Sequence, residues 1–117
     1  MIEVIKTYNL LQNIDQQSYL EYSDRAIRTL WHAPGIVEIR VYRNLLGSLH
    51  MRLTLVWHTL ADWAKFAESP EGLKLESELL NFASVIDFEL WVPLHAGKLT
   101  SEQRLTVTKR DFKLTWD

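Results

Sequence analysis

The sequence has no cysteine. This removes disulfides, zinc–thiolate sites and thiol nucleophiles together, and it accords with a reducing compartment. Glycine and proline are scarce, at four and three residues, and there is neither an internal repeat nor a low-complexity segment. No apolar run approaches the roughly 20 residues that a membrane-spanning helix needs, and the first residues lack the basic and apolar regions of a signal peptide, so the cytoplasm is the expected location. Neither sign of charge dominates. A formal charge of −2 and a pI near 6.1 leave no basic footprint for nucleic acid or for an anionic membrane surface, and both partners are set aside. The four histidines show neither the H-x-x-H nor the H-E-x-x-H spacing, so no metal site is expected.

What is present is an ordinary globular composition, 47% hydrophobic and 24% charged, in a chain of 117 residues that suits one compact core. Glu3 to Leu10 reads as a first strand. From Asp15 to His32 apolar residues recur at threes and fours, with the acid-before-base pairs Glu21–Arg25 and Asp24–Arg28 four apart, which predicts an amphipathic helix. Asp15 or Asn13 can cap its start, and Pro34-Gly35 stops it. Gly35 to Arg43 alternates as a second strand, Asn44 to Ser48 reads as a hairpin connection, and Met51, Leu53, Leu55 and Trp57 alternate in a third strand. Thr59 caps a second helix that Ser69-Pro70 breaks or kinks. Val85 to Val92 reads as a fourth strand, ended by Pro93.

The order β-α-β-β-α-β predicts an α+β, ferredoxin-like domain over residues 1–93, with strand order 4-1-3-2 and two helices on one face of an antiparallel sheet. Residues 94–117 form a C-terminal extension whose alternating stretches Arg104 to Val107 and Phe112 to Trp116 suggest an added edge strand. The uncovered sheet face is expected to carry Lys6, Tyr8, Arg40, Tyr42, Asp87 and Trp91 among others, with Lys6 near Asp87 or Glu89 and Arg52 near Glu38. Aromatic residues on such a face mark an interface, and a homodimer is the expected assembly.

The segment Gly35 to Arg43, followed by Trp57, Asp62-Trp63, Phe66 and Ser69-Pro70 in a Trp-x-x-x-x-Asp-Trp-x-x-Phe-x-x-Ser-Pro pattern, resembles the dimeric α/β-barrel superfamily, and within it the antibiotic-biosynthesis-monooxygenase-like domains. The similarity runs over residues 2–93 in element order. It implies a dimeric α/β barrel and oxidation of a small apolar or aromatic molecule without a bound cofactor. The superfamily's haem-degrading branch uses an Asn on strand one, a Trp on helix two and a His further along. Here Asn9 matches the first, but Phe66 stands in place of that Trp and Glu76 in place of the His, so the imidazole ligand to iron is missing.

A pocket between sheet and helices is expected to include Thr7, Asn9, Trp57, Trp63 and Phe66. In the catalytic reading Asn9 orients a substrate oxygen and His58 serves as general base, while Thr7, Trp57, Trp63, Phe66 and Glu76 contact the ligand. In the plainer reading the aromatics are packed core, Asn9 caps backbone at a strand end, and His58 and Glu76 are solvated. Two functions follow: a monooxygenase-like enzyme, or a non-catalytic dimeric module that binds a hydrophobic metabolite or a protein partner.

Overall fold

The computed structural model describes residues 1–46 and 50–94, the side chains of residues 85 and 86 apart. Its elements are β1 (Ile2–Leu10), α1 (Gln16–Trp31), β2 (Ile36–Arg43), β3 (His50–Trp57), α2 (Leu60–Glu68), α3 (Pro70–Leu79) and β4 (Ala83–Trp91). The four strands form one antiparallel sheet in the order β2-β3-β1-β4, which is the order expected of a ferredoxin-like domain. The expected edge strand in the C-terminal extension lies outside the described residues, apart from Leu94.

Local chemistry fixes the helix ends. Asp15 caps α1 by accepting from the Gln17 backbone N–H at 3.2 Å and from the Ser18 hydroxyl at 2.7 Å. After α1 the chain turns at Gly35, whose φ of 93° is a left-handed conformation that favours glycine. Thr59 Oγ1 accepts from the Asp62 N–H at 3.1 Å to start α2. The expected break is a clean division, made by one hydroxyl. Ser69 Oγ donates to the Phe66 carbonyl at 2.6 Å, closing α2, and accepts from the Gly72 N–H at 3.1 Å, opening α3 with Pro70 in its first turn.

Strand β4 begins two residues earlier than expected, because Asn9 and Leu10 of β1 pair with Ser84 and Ala83, and a bulge opposite Thr7 and Tyr8 takes up the irregularity. Helix α1 is tied to α3 as well as to the sheet. The expected Asp24–Arg28 pair forms at 3.0 Å, but Arg25 reaches Glu78 of α3 at 2.7 Å, and the Tyr22 hydroxyl donates to the Leu75 carbonyl at 2.9 Å.

The core has two lobes on the helix-covered face. One gathers Ile2, Val4, Leu30, Leu55 and Trp57, and the other gathers Tyr8, Tyr19, Tyr22, Met51, Leu79 and Ala83. These groups correct the expected phase of β1. Ile2, Val4, Lys6 and Tyr8 pair with Trp57, Leu55, Leu53 and Met51 of β3, so they share the helix-covered face, whereas Ile5, Thr7 and Asn9 pair with Thr54, Arg52 and His50 and lie on the opposite face, which is uncovered among the described residues. Lys6 therefore meets neither Asp87 nor Glu89. Arg52 does not pair with Glu38 either: it lies over the Tyr42 ring at 5.4 Å, and Arg40 takes Glu38 at 3.0 Å and Glu3 at 3.4 Å.

Candidate functional site

The phase of β1 decides what lies between sheet and helices. Val4, Lys6 and Tyr8 project there, and Lys6 is the charged member of an otherwise apolar row. Its side chain is only 13% exposed, and it makes an ion pair with Glu76 of α3, whose side chain is 52% exposed. The pair sits where two small cavities adjoin. Lys6, Leu53, Leu55, Phe66, Gly72 and Glu76 line both of them. The cavity under α1, about 90 Å³, is completed by residues that include Tyr8, Tyr19, Tyr22 and Leu79. The cavity under α2, about 100 Å³, is completed by Val4, Trp57, Trp63, Ala67 and Phe88.

Aromatic rings wall the second cavity. Trp57 stands 5.6 Å from Phe66 between ring centroids, and Trp63 stands 5.9 Å from Phe88, both pairs tilted. Trp57 is fully buried, yet its indole N–H has no hydrogen-bond partner, an unusual state for a buried donor. On the α1 side the Tyr8 and Tyr19 hydroxyls share a buried hydrogen bond of 3.0 Å, and Tyr19, Tyr22 and Phe82 pack ring against ring at 5.5 to 6.3 Å.

Burial sets the electrostatics of this interior. Desolvation pushes the Lys6 ammonium down from 10.5 to about 8, because the protein gives the charge less stabilisation than water does. The same desolvation pushes the Tyr22 phenol up to about 12 and the Tyr8 phenol further still, with the bond to Tyr19 adding to the latter. Lys6 thus keeps its proton at neutral pH, and both phenols stay neutral.

Four of the seven site residues expected from sequence converge here: Trp57, Trp63, Phe66 and Glu76 all line the cavity under α2. The other three do not. Thr7 and Asn9 lie on the uncovered face, where Asn9 Oδ1 accepts from His50 Nδ1 at 2.9 Å. His58 is exposed just beyond β3, held by its backbone N–H to the Gly35 carbonyl at 2.8 Å, and it lines neither cavity. Sequence reasoning missed Lys6, Tyr8, Tyr19 and Tyr22. The apolar residues Ile2, Val4, Tyr8 and Leu10 at even positions of β1 carried the signal.

A larger depression of about 490 Å³ lies at the Pro34 end, bordered by Arg28, His32, Asp62, Lys65 and Glu71. Its rim mixes both signs of charge, Arg28 and Lys65 against Asp62 and Glu71, and Phe66 is the one phenyl ring among the described residues that line it. Among the described residues no group of three or more His, Asp or Glu is placed to hold a metal ion, and no helix is long and apolar enough to cross a membrane.

Among solved structures, SnoaB, a cofactor-independent oxygenase from Streptomyces nogalater, superposes with a TM-score of 0.69 at 12% identity, over 81% of this chain and 94% of that one. The chain shares the ferredoxin-like fold of this oxygenase. A candidate antibiotic biosynthesis monooxygenase from Nitrosomonas europaea shares this fold at TM-score 0.68 and 12% identity, over 81% of this chain and all of its own length. A second such candidate, from Deinococcus radiodurans, shares it at TM-score 0.62 and 13% identity, over 86% of this chain and all of its own. No family model matches the sequence, and no curated protein matches it. At these identities the likeness is one of fold alone.

Proposed function

We propose that this monooxygenase-like domain oxidises a small apolar or aromatic molecule with O₂, using no resident cofactor, in the paired cavities between the sheet and its helices. The observation that carries the reading is an aromatic-walled interior that holds the ion pair Lys6–Glu76, on a fold shared with a cofactor-independent oxygenase. Trp57, Trp63 and Phe66 shape the apolar part of the site, and Glu76 stands at its polar edge.

Without a resident reductant the substrate must supply every electron. A ring methylene balances the reaction: CH₂ and O₂ give C=O and H₂O, with one oxygen atom entering the product and the other leaving with the two hydrogens. The protein's part is to hold an electron-rich ring in a dry space and to stabilise the charge that develops when a proton leaves.

The second reading is a non-catalytic dimeric module that binds a hydrophobic metabolite or a protein partner, and cavity size favours its protein-partner form. Cavities of about 90 and 100 Å³ are each smaller than the roughly 300 Å³ at which ligand sites usually begin. An oxygen electrode separates the two. With a panel of electron-rich hydroxylated aromatics and a metal chelator present, the enzyme reading expects protein-dependent O₂ uptake matched one-to-one by product. Tight binding of a panel member without any O₂ uptake would leave only the module.

The same proposal includes a homodimer formed through the uncovered sheet face. In support, the aromatic side chains of Tyr42 and Trp91 are exposed there.

A further inference from the structure

The Lys6–Glu76 pair is unevenly built. Lys6 is rooted on a central strand, where its neighbours on the same face are Val4 and Tyr8 of β1 and Leu53 of β3. An ammonium in such a place needs an anion beside it, since an unpaired buried charge is costly. Glu76 supplies one, but from a helix surface where half of its side chain is already in water. Turning Glu76 outward costs the carboxylate little, whereas Lys6 has nowhere wet to go. The dry partner is fixed and the wet partner is exchangeable.

A second observation points to the same space. Trp57 lines the cavity that Lys6 borders, its side chain is completely buried, and its indole N–H has no acceptor. An indole nitrogen can only donate, so what this group lacks is an oxygen or another acceptor.

We propose that the site takes its ligand as an aromatic oxyanion, a phenolate or enolate, whose charged oxygen replaces the Glu76 carboxylate on Lys6 while a second ligand oxygen accepts the Trp57 N–H. This rests on the reading that the paired cavities are the ligand site, and it adds the charge and the oxygen pattern of the ligand. Displacing Glu76 removes one of the side chains that border both cavities and opens room for a ring against Phe66. The oxyanion is also the electron-rich form of such a ring, so the residue that selects the ligand selects the form most easily oxidised. Lys6 is then a specificity-determining residue, and Glu76 holds its place until the ligand arrives.

The test is a binding titration that needs neither O₂ nor turnover. The probes are 4-nitrophenol, followed by the absorption of its phenolate near neutral pH, and 4-nitroanisole, its neutral ether. The wild-type protein should bind the phenolate about tenfold more tightly than the ether, as a partly buried charge pair implies. Lys6→Met should erase that preference. Glu76→Gln should tighten phenolate binding about threefold by removing the competing carboxylate, and Trp57→Phe should weaken it by a similar factor. Equal affinity for the two probes, a preference that survives Lys6→Met, or no binding of either probe overturns the inference. If Lys6→Met fails to fold, the Glu76→Gln arm decides: unchanged or weaker phenolate binding counts against the exchange. A phenolate preference without O₂ uptake would leave this inference standing and remove the oxygenase reading; O₂ uptake without the preference would do the reverse.

Discussion

Lys6 on β1 and Glu76 on α3 meet across the gap between sheet and helices, and they do so with unequal access to water. The pair joins the sheet to the helix that closes the site, so its removal is informative in both directions.

Replacing the buried partner should cost little, because the desolvation of Lys6 offsets most of what the pair contributes. Lys6→Met is expected to leave the melting temperature unchanged or to raise it by a few degrees. Glu76→Gln, which leaves Lys6 without its anion, is expected to lower stability by about 1 kcal/mol, the exposure of Glu76 keeping the loss small. Thermal and urea denaturation of the two variants measure this. A larger loss for Lys6→Met than for Glu76→Gln would contradict the uneven account of the pair.

Stability should depend on alkaline pH in two opposing ways. Lys6, depressed to about 8, contributes stability that is present above its ordinary value of 10.5 and is lost as pH falls through about 8, so it makes stability climb between those limits. Tyr8 and Tyr22 are raised, and their contribution is present below the ordinary value of 10.0 and lost as pH rises, through about 12 for Tyr22. The charged and titratable groups near the phenols are Tyr19, Arg25 and Glu78. Melting temperatures from pH 8 upward should rise to a shallow maximum near 10 and then fall. Lys6→Met should remove the rise, and Tyr8→Phe should soften the fall.

Gly72 lets α3 cross the last turn of α2 and also lines both cavities. A Cβ there would come within 2.1 Å of the Phe66 carbonyl oxygen, a backbone atom that cannot step aside without moving the helix. Gly72→Ala is expected to cost about 2 kcal/mol despite the better helix propensity of alanine. Phenolate binding should fall with it, because Phe66 and Glu76 would both shift. A stabilised variant in urea denaturation would show that α3 docks differently.

The uncovered face offers a direct test of the proposed dimer. Tyr42→Lys would place a second positive charge beside Arg52, its neighbour in the sheet register, at an exposed position. Sedimentation equilibrium should give twice the chain mass for the wild type and a monomer for this variant. A wild-type monomer at micromolar concentration would remove the sheet face as an interface.

The element order, the strand order and the Ser69-Pro70 break were all legible in the sequence, because caps, proline and alternation act over a few residues. The interior of the site was less so. In β1 the β-branched Ile5 and Thr7 invite an inward reading, and a lysine between Val4 and Tyr8 looks like a solvent residue. What turns Lys6 inward is the company of Ile2, Val4, Tyr8 and Leu10 on the same side, and what pairs it is Glu76, far along the chain on another element. Trp57, Trp63, Phe66 and Glu76 could be placed together because they follow one another through β3, α2 and α3. Asn9 could not, since one step of strand phase moves a side chain to the opposite face.

Whether the ligand sits between the sheet and its helices is decided by a crystal structure of the protein saturated with 4-nitrophenolate. The expected electron density shows the ring beside Phe66, the phenolate oxygen on Lys6 Nζ, a nitro oxygen on the Trp57 indole nitrogen, and Glu76 turned to solvent. Both cavities empty, with Lys6 still on Glu76, or the ligand held instead in the depression near Pro34, would contradict this placement.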